Sequence, residues 1–247
     1  DLRDQTIFTI DSASTKDMDD AVSVEKLENG YRLGVHIADV SHYIRAKTPL
    51  DEAALQRGTS VYFADSVVPM LPPELSNGIC SLNPEEDRLA FSCIMELDKN
   101  GKMKDYRFAK TVICSRVKGV YSEINTIFEG VAEEDTVQKY SAVADSLAVM
   151  RELYHELAKL RESRGGMEIE SGEAKILVDD KGRCVGVEKR TRGEAERLIE
   201  EFMLLANTAA AKAARTHEIP FVYRVHEKPA TEKIEQLKRI LKAAGVE

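Results

Sequence analysis

The chain has 247 residues, 43% hydrophobic and 32% charged, with 35 Lys and Arg against 43 Asp and Glu for a net charge of −8. That is ample for a buried core, and no apolar run approaches the ~18–20 residues of a membrane span, so the expectation is a soluble, cytoplasmic chain with no membrane partner. Cys80, Cys93, Cys114 and Cys184 are widely spaced without a C-x-x-C pair, which excludes a zinc ribbon or a small disulfide scaffold and leaves free thiols. In chain order, β-branched runs at 6–10 and 21–27 read as strands around an acidic loop, and 31–40 returns from 21–27 as a hairpin across Glu28-Asn29-Gly30. Residues 49–55 open a short helix with Asp51 and Glu52 in its first turn. Residues 61–64 read as extended, the prolines of 69–73 forbid regular structure, and a helical turn runs from 74 to 80.

Residues 89–97 and 104–112 alternate as a second hairpin across Asp98-Lys99-Asn100-Gly101. A short helix is expected over 121–128 and a long one over 136–164, whose stripe of Val137, Tyr140, Val143, Leu147, Met150, Leu153, Leu157 and Leu160 marks a core-facing side. Strands follow at 167–169, 174–178 and 184–187, then a helix over 194–217, a strand over 221–226 and a last helix over 231–244. There is no internal repeat and no low-complexity linker. The fold class is therefore α+β, a mixed or antiparallel sheet flanked by helices, with one continuous core.

The loop after the first strand gathers Asp11, Asp17, Asp19 and Asp20 within ten residues. Carboxylates so close repel each other unless a cation sits among them. Oxygen ligands without Cys or His favour Mg²⁺ or Mn²⁺, and several carboxylates can hold two such ions, an arrangement suited to phosphodiester cleavage. A solvated acidic turn is the competing reading from the loop alone. A calcium loop of the EF-hand type does not fit, because Lys16 stands where that motif requires Gly.

Further stretches share an order with that loop: His36-Ile37-Ala38-Asp39-Val40-Ser41-His42-Tyr43, Arg57-Gly58-Thr59-Ser60-Val61-Tyr62, Cys80-Ser81-Leu82-Asn83-Pro84, Arg164-Gly165-Gly166, Ile199-Glu200-Glu201-Phe202-Met203 and Tyr223-Arg224-Val225-His226. Together with Asp11-x5-Asp17-x-Asp19-Asp20 they resemble the catalytic RNB domain of the ribonuclease II and ribonuclease R family of 3′-to-5′ exoribonucleases, closer to ribonuclease R, across nearly the whole chain. The resemblance implies Mg²⁺-dependent, processive hydrolysis of single-stranded RNA to nucleoside 5′-monophosphates. It implies metal binding by Asp11, Asp17, Asp19 and Asp20, with Asp19 the one whose loss most affects chemistry. It also implies base stacking by Tyr62 and contact of Glu200 with the terminal nucleotide. Arg224 and His226 are weaker candidates, for phosphate or structural contacts, and His36 and His42 are weaker still, a lone His near a strand being more often a satisfied structural group.

Cold-shock and S1 domains flank the family's catalytic domain, and none is expected in this chain. The family's downstream Ser-Pro-Ile-Arg-Arg-Tyr motif is also absent from the 247 residues, so the resemblance implies metal binding with weak or absent exonuclease activity for this stretch alone. The negative charge is unfavourable for a polyanion partner, and cations on the acidic loop together with local positive charge would have to offset it. Two other function classes remain open: a non-catalytic RNA-binding module, and another metal-dependent phosphodiesterase or phosphatase built on the same loop.

Overall fold

A run of β-branched and aromatic residues forms β1 (Ile7–Asp11), and β2 (Asp20–Leu27) returns antiparallel to it with Val22 opposite Phe8. β3 (Gly30–Ala38) pairs with β2 in unbroken register from Asp20↔Ile37 to Leu27↔Gly30. Gly30 is required at the turn: its φ is +152°, and a Cβ there would overlap the Leu97 carbonyl oxygen. In this computed structural model residues 1–166 and 173–245 are described. β3 stops at Ala38 rather than at residue 40, because Val40 begins a single helical turn, α1 (Val40–Tyr43). Thr48 caps α2 (Pro49–Arg57), accepting from Asp51 N at 3.3 Å ahead of Pro49 at its first position. A small hairpin follows, β4 (Val61–Tyr62) and β5 (Val67–Val68), then a helical segment at Glu74–Ile79.

β6 (Asp87–Asp98) and β7 (Met103–Val120) form the second hairpin, both longer than the alternation suggested. The extra length of β7 has a topological consequence. Its last residues lie parallel to β1, from Ile7↔Ser115 to Asp11↔Val120, and close β1, β2, β3, β6 and β7 into a barrel. The mixed sheet expected from the sequence is present, with this one parallel pair joining its ends.

α3 (Tyr121–Glu129) follows β7 directly and ends at Gly130 in the left-handed conformation. The single long helix expected over 136–164 is instead α4 (Glu134–Lys139), a 3₁₀ turn at Ser141–Val143, and α5 (Ala144–Ser163). Tyr140 explains the break. Its hydroxyl accepts from Val120 N at 2.8 Å and donates to Glu123 Oε2 at 2.6 Å, so the buried ring is fixed to the end of β7 and the start of α3. The backbone there sits at φ −95°, ψ 4° and cannot continue a helix. Leu147, Met150, Leu153, Tyr154 and Leu157 form the buried stripe of α5, and each such Leu or Met stabilises by about 1.5–3 kcal/mol. They meet Phe8, Val22, Leu33, Val35 and Met95 from one face of the sheet in the main apolar cluster, and the other face contributes Ala21, Ala38, Ala90 and Ile113 to a smaller one. Among the described residues the core is thus two clusters, not the single continuous one the sequence suggested.

Among the described residues β8 (Glu173–Val178) and β9 (Cys184–Arg190) pair only with each other, and the strand expected at 167–169 lies outside the described residues. α6 (Glu194–Thr216) and α7 (Thr231–Ala243) match the sequence periodicity. By contrast, 221–226 joins no strand among the described residues. The chain divides into two units, Asp1–Ala209 and Ala210–Glu247. No helix among the described residues is long and apolar enough to cross a membrane.

Candidate active site

Asp11 ends β1 opposite Val120, and Asp20 begins β2 opposite Ile37, so both ends of the acidic loop are ladder residues. Between them the backbone is tied to surrounding elements. Ala38 N donates to Asp19 O at 2.9 Å and Leu82 N to Met18 O at 2.7 Å. The Ser81 hydroxyl accepts from Met18 N at 3.1 Å and lies 3.0 Å from Lys16 O. Lys118, on β7, donates its Nζ to Thr15 O at 2.5 Å. The Met18 side chain is buried beside Thr9, whose hydroxyl lies 3.6 Å from its sulfur.

The four carboxylates share this small space, and the electrostatics record it. Asp20 is pushed up to about 6, first by burial and then by the charges of Asp19 and Asp11. Asp19 is also raised, by loss of solvent around its carboxylate and, less, by Asp17 and Asp11, against a backbone hydrogen bond that lowers it. Asp11 is oriented locally, its Oδ1 accepting from Ser12 N at 2.7 Å and Thr15 Oγ1 at 2.9 Å. Among the described residues, no three His, Cys, Asp or Glu side chains converge into a ready-made metal cage. The loop therefore holds four mutually repelling carboxylates near one another without closing them on a single point.

Tyr62 stands on the β4–β5 hairpin, 68% exposed, and with Asp17 it lines a cavity of about 570 Å³. Lys16, Phe63 and Asn77 are among the other residues of that wall. Phe63, within the extended stretch expected at 61–64 but given no role by the sequence, is 60% exposed. Glu200 is exposed on α6 with its carboxylate 3.6 Å from Arg192, and it is not among the cavity's lining residues. Its neighbour Glu201 turns inward instead, 5% exposed, with Arg161 Nη1 2.8 Å from Oε1 but not aligned for a hydrogen bond. Burial raises the Glu201 carboxyl, Arg161 opposes, Glu200 adds to the rise and Arg164 opposes it. Arg224 and His226 are exposed in the second unit, in the 219–230 stretch without regular structure.

His36 is structural, as its sequence context suggested. It is fully buried, Nε2 3.0 Å from Ser23 Oγ and Nδ1 2.7 Å from Ser92 Oγ, and burial pushes it down to about 4. Ser92 continues the string to Thr111 Oγ1 at 2.6 Å. Asp39, which the sequence reading left without a role, is buried and would be raised by that burial. Lys110 Nζ at 2.9 Å and the Ser41 hydroxyl hold it below the usual carboxylate range. No sequence signal marks Ser81 or Lys118 as neighbours of the loop, since both lie far along the chain, Lys118 being brought back by β7 and Ser81 by the segment that precedes β6.

The RNB domain profile matches residues 1–246. Among curated proteins, the chain is 47% identical over 237 residues to Ribonuclease R 1 of Lactococcus lactis, covering 96% of this chain and 29% of that protein. It is also 47% identical over 248 residues to Ribonuclease R of Thermotoga maritima, covering all of this chain and 34% of that one. The chain thus spans about a third of the length of these relatives. Its fold superposes on Mycoplasma genitalium RNase R solved in complex with ribose-methylated single-stranded RNA, with a TM-score of 0.91 and 30% identity over 98% of this chain and 37% of the other.

Proposed function

The chain belongs to the RNB domain family, and from that premise we propose that it serves as the catalytic domain of a 3′-to-5′ exoribonuclease acting on single-stranded RNA with Mg²⁺, or Mn²⁺, as cofactor. The observation that carries the reading is the anchored loop at 11–20, where the carboxylates of Asp11, Asp17 and Asp19 lie close enough to raise the pKa of a neighbour. The donor set suits a hard divalent cation, being all carboxylate oxygen, and such a cation would offset both the burial that chiefly raises Asp19 and Asp20 and the smaller repulsion from their neighbours. Asp11, Asp17, Asp19 and Asp20 are the residues that would hold it. When bound, the cation supplies Lewis acidity at the scissile phosphate and a water acidic enough to attack it.

Water oxygen bonds to phosphorus and the P–O3′ bond breaks. The shortened strand keeps a 3′-hydroxyl, and the released nucleotide carries the 5′-phosphate. Tyr62 offers its exposed ring to an unpaired base beside the loop, an interaction that tolerates any sequence and contributes about 1–3 kcal/mol. Glu200 accepts from a ribose 2′-hydroxyl, which distinguishes RNA from DNA. Arg224 contacts phosphate and adds affinity without sequence preference.

The test uses one single-stranded RNA labelled separately at its 5′ and 3′ ends, incubated with Mg²⁺ and a protein of the relatives' full length that carries this chain as its RNB domain, because the 247 residues alone are expected to turn over weakly or not at all. Stepwise shortening of the 5′-labelled strand, with the 3′ label released at once as a mononucleotide, is expected. Internal fragments or free inorganic phosphate would assign a different phosphodiesterase or a phosphatase. Binding without cleavage would leave a non-catalytic RNA module.

A further inference from the structure

Ser81 lies outside the acidic loop in sequence and is 1% exposed, yet its hydroxyl meets the loop on both sides of Asp17. It accepts from the peptide N–H of Met18 at 3.1 Å and can donate to the carbonyl of Lys16 at 3.0 Å, with Asn83 Oδ1 at 3.1 Å as the other acceptor within reach of its single proton. The next residue adds a backbone contact, Leu82 N to Met18 O at 2.7 Å. Ser81 is itself fixed from behind by Arg88, whose Nε donates to Ser81 O at 2.9 Å from β6. A guanidinium on a barrel strand thus holds the serine, and the serine holds the two peptide bonds that flank Asp17.

This matters because the loop works against itself. Like charges at Asp11, Asp17, Asp19 and Asp20 favour spreading the loop apart, and the peptides flanking Asp17 lie between the two ladder ends where the barrel register no longer restrains the backbone. We infer that Ser81 is a positioning residue that sets the spacing of the carboxylates, and through it the affinity of the loop for a divalent cation. The inference rests on the proposed metal-dependent reading. Groups that orient ligands in this way typically change metal affinity by about 10–100-fold when removed.

The experiment measures Mn²⁺ binding in the absence of RNA, by calorimetry and by the loss of free Mn²⁺ paramagnetic resonance signal, for the unaltered protein, Asp17→Asn, Ser81→Ala and Ser92→Ala. Ser92 is equally buried and its hydroxyl is hydrogen-bonded in the His36 string away from the loop, so its variant reports the cost of simply losing a buried hydroxyl. Ser81→Ala is expected to weaken Mn²⁺ binding by about tenfold, while Ser92→Ala lowers the melting temperature and leaves Mn²⁺ affinity alone. RNA affinity measured in EDTA stays unchanged in Ser81→Ala. Equal Mn²⁺ affinity in Ser81→Ala and the unaltered protein, with Asp17→Asn impaired, would overturn the role of Ser81 and spare the metal reading. An equal loss in Ser92→Ala would also overturn it, by showing that the effect is global. Absence of Mn²⁺ binding in the unaltered protein would remove the metal reading and this inference together.

Discussion

The acidic loop at 11–20 and the hairpin at 61–68 share the wall of one cavity, yet they are held in opposite ways. Backbone N–H groups of Ala38 on β3 and of Leu82, together with the side chains of Ser81 and of Lys118 on β7, bond to the loop's backbone, and its Met18 side chain is buried. The hairpin has two residue pairs, Val61↔Val68 and Tyr62↔Val67, and a turn closed by Phe63 N to Ser66 O at 2.8 Å. All of Val61, Tyr62, Phe63, Val67 and Val68 are exposed. A ladder so short adds little stability of its own. The contrast teaches a division of labour: carboxylates that must be kept close against their repulsion are built on a restrained backbone, while aromatic contact with a partner strand is left to a segment with few ties.

The sharpest way to break this division is Asp19→Asn in a protein of the relatives' full length that carries this domain, which should lower RNA hydrolysis on the order of 10³-fold, as loss of a charge-stabilising group at a reacting centre does. Binding of single-stranded RNA in EDTA, read by fluorescence anisotropy, should be unchanged. If both fell together, the loop would be a binding element and the contrast would disappear.

Acid should act on the loop's supporting strands and not on the hairpin, because His36 is buried neutral beneath them. Its folded value of about 4 lies below the ordinary 6.5, so between these pH values the unfolded chain takes up a proton that the native chain refuses. Stability is retained above pH 6.5 and lost as pH falls toward 4, by about 3 kcal/mol for this group. Urea midpoints measured across that range for the protein and for His36→Gln would show it, since the variant lacks the proton linkage.

Tyr62→Ala should weaken RNA binding by about 1–3 kcal/mol, the contribution of one stacked base, without moving the melting temperature. The smallest effect is expected from Val67→Ser, within about 0.5 kcal/mol of stability, because the side chain is already exposed. A large loss of stability there would mean that the hairpin is held as firmly as the loop.

Local signals made the elements legible. The β-branched runs, the Glu28-Asn29-Gly30 turn and the stripe of α5 all encode short-range structure. What escaped depended on distance along the chain. The far end of β7 is a strand because it meets β1, and the break at Tyr140 exists because one hydroxyl reaches Val120 and Glu123. For the site, the four aspartates and Tyr62 could be named because they lie in short motifs. Ser81 lies in a motif too, but its contact with the loop, like that of Lys118, could not be named, since these contacts span 63 to 103 positions. The Glu200-Glu201 pair shows the same limit: sequence marks both, and only the helix packing shows that Glu201 is the buried one.

The most direct test of the account is anomalous diffraction from crystals of the protein soaked in Mn²⁺. The account predicts a Mn²⁺ peak among the carboxylates of Asp11, Asp17, Asp19 and Asp20, lost in Asp17→Asn. Mn²⁺ bound elsewhere with this loop empty, or a peak that persists unchanged in Asp17→Asn, would contradict it.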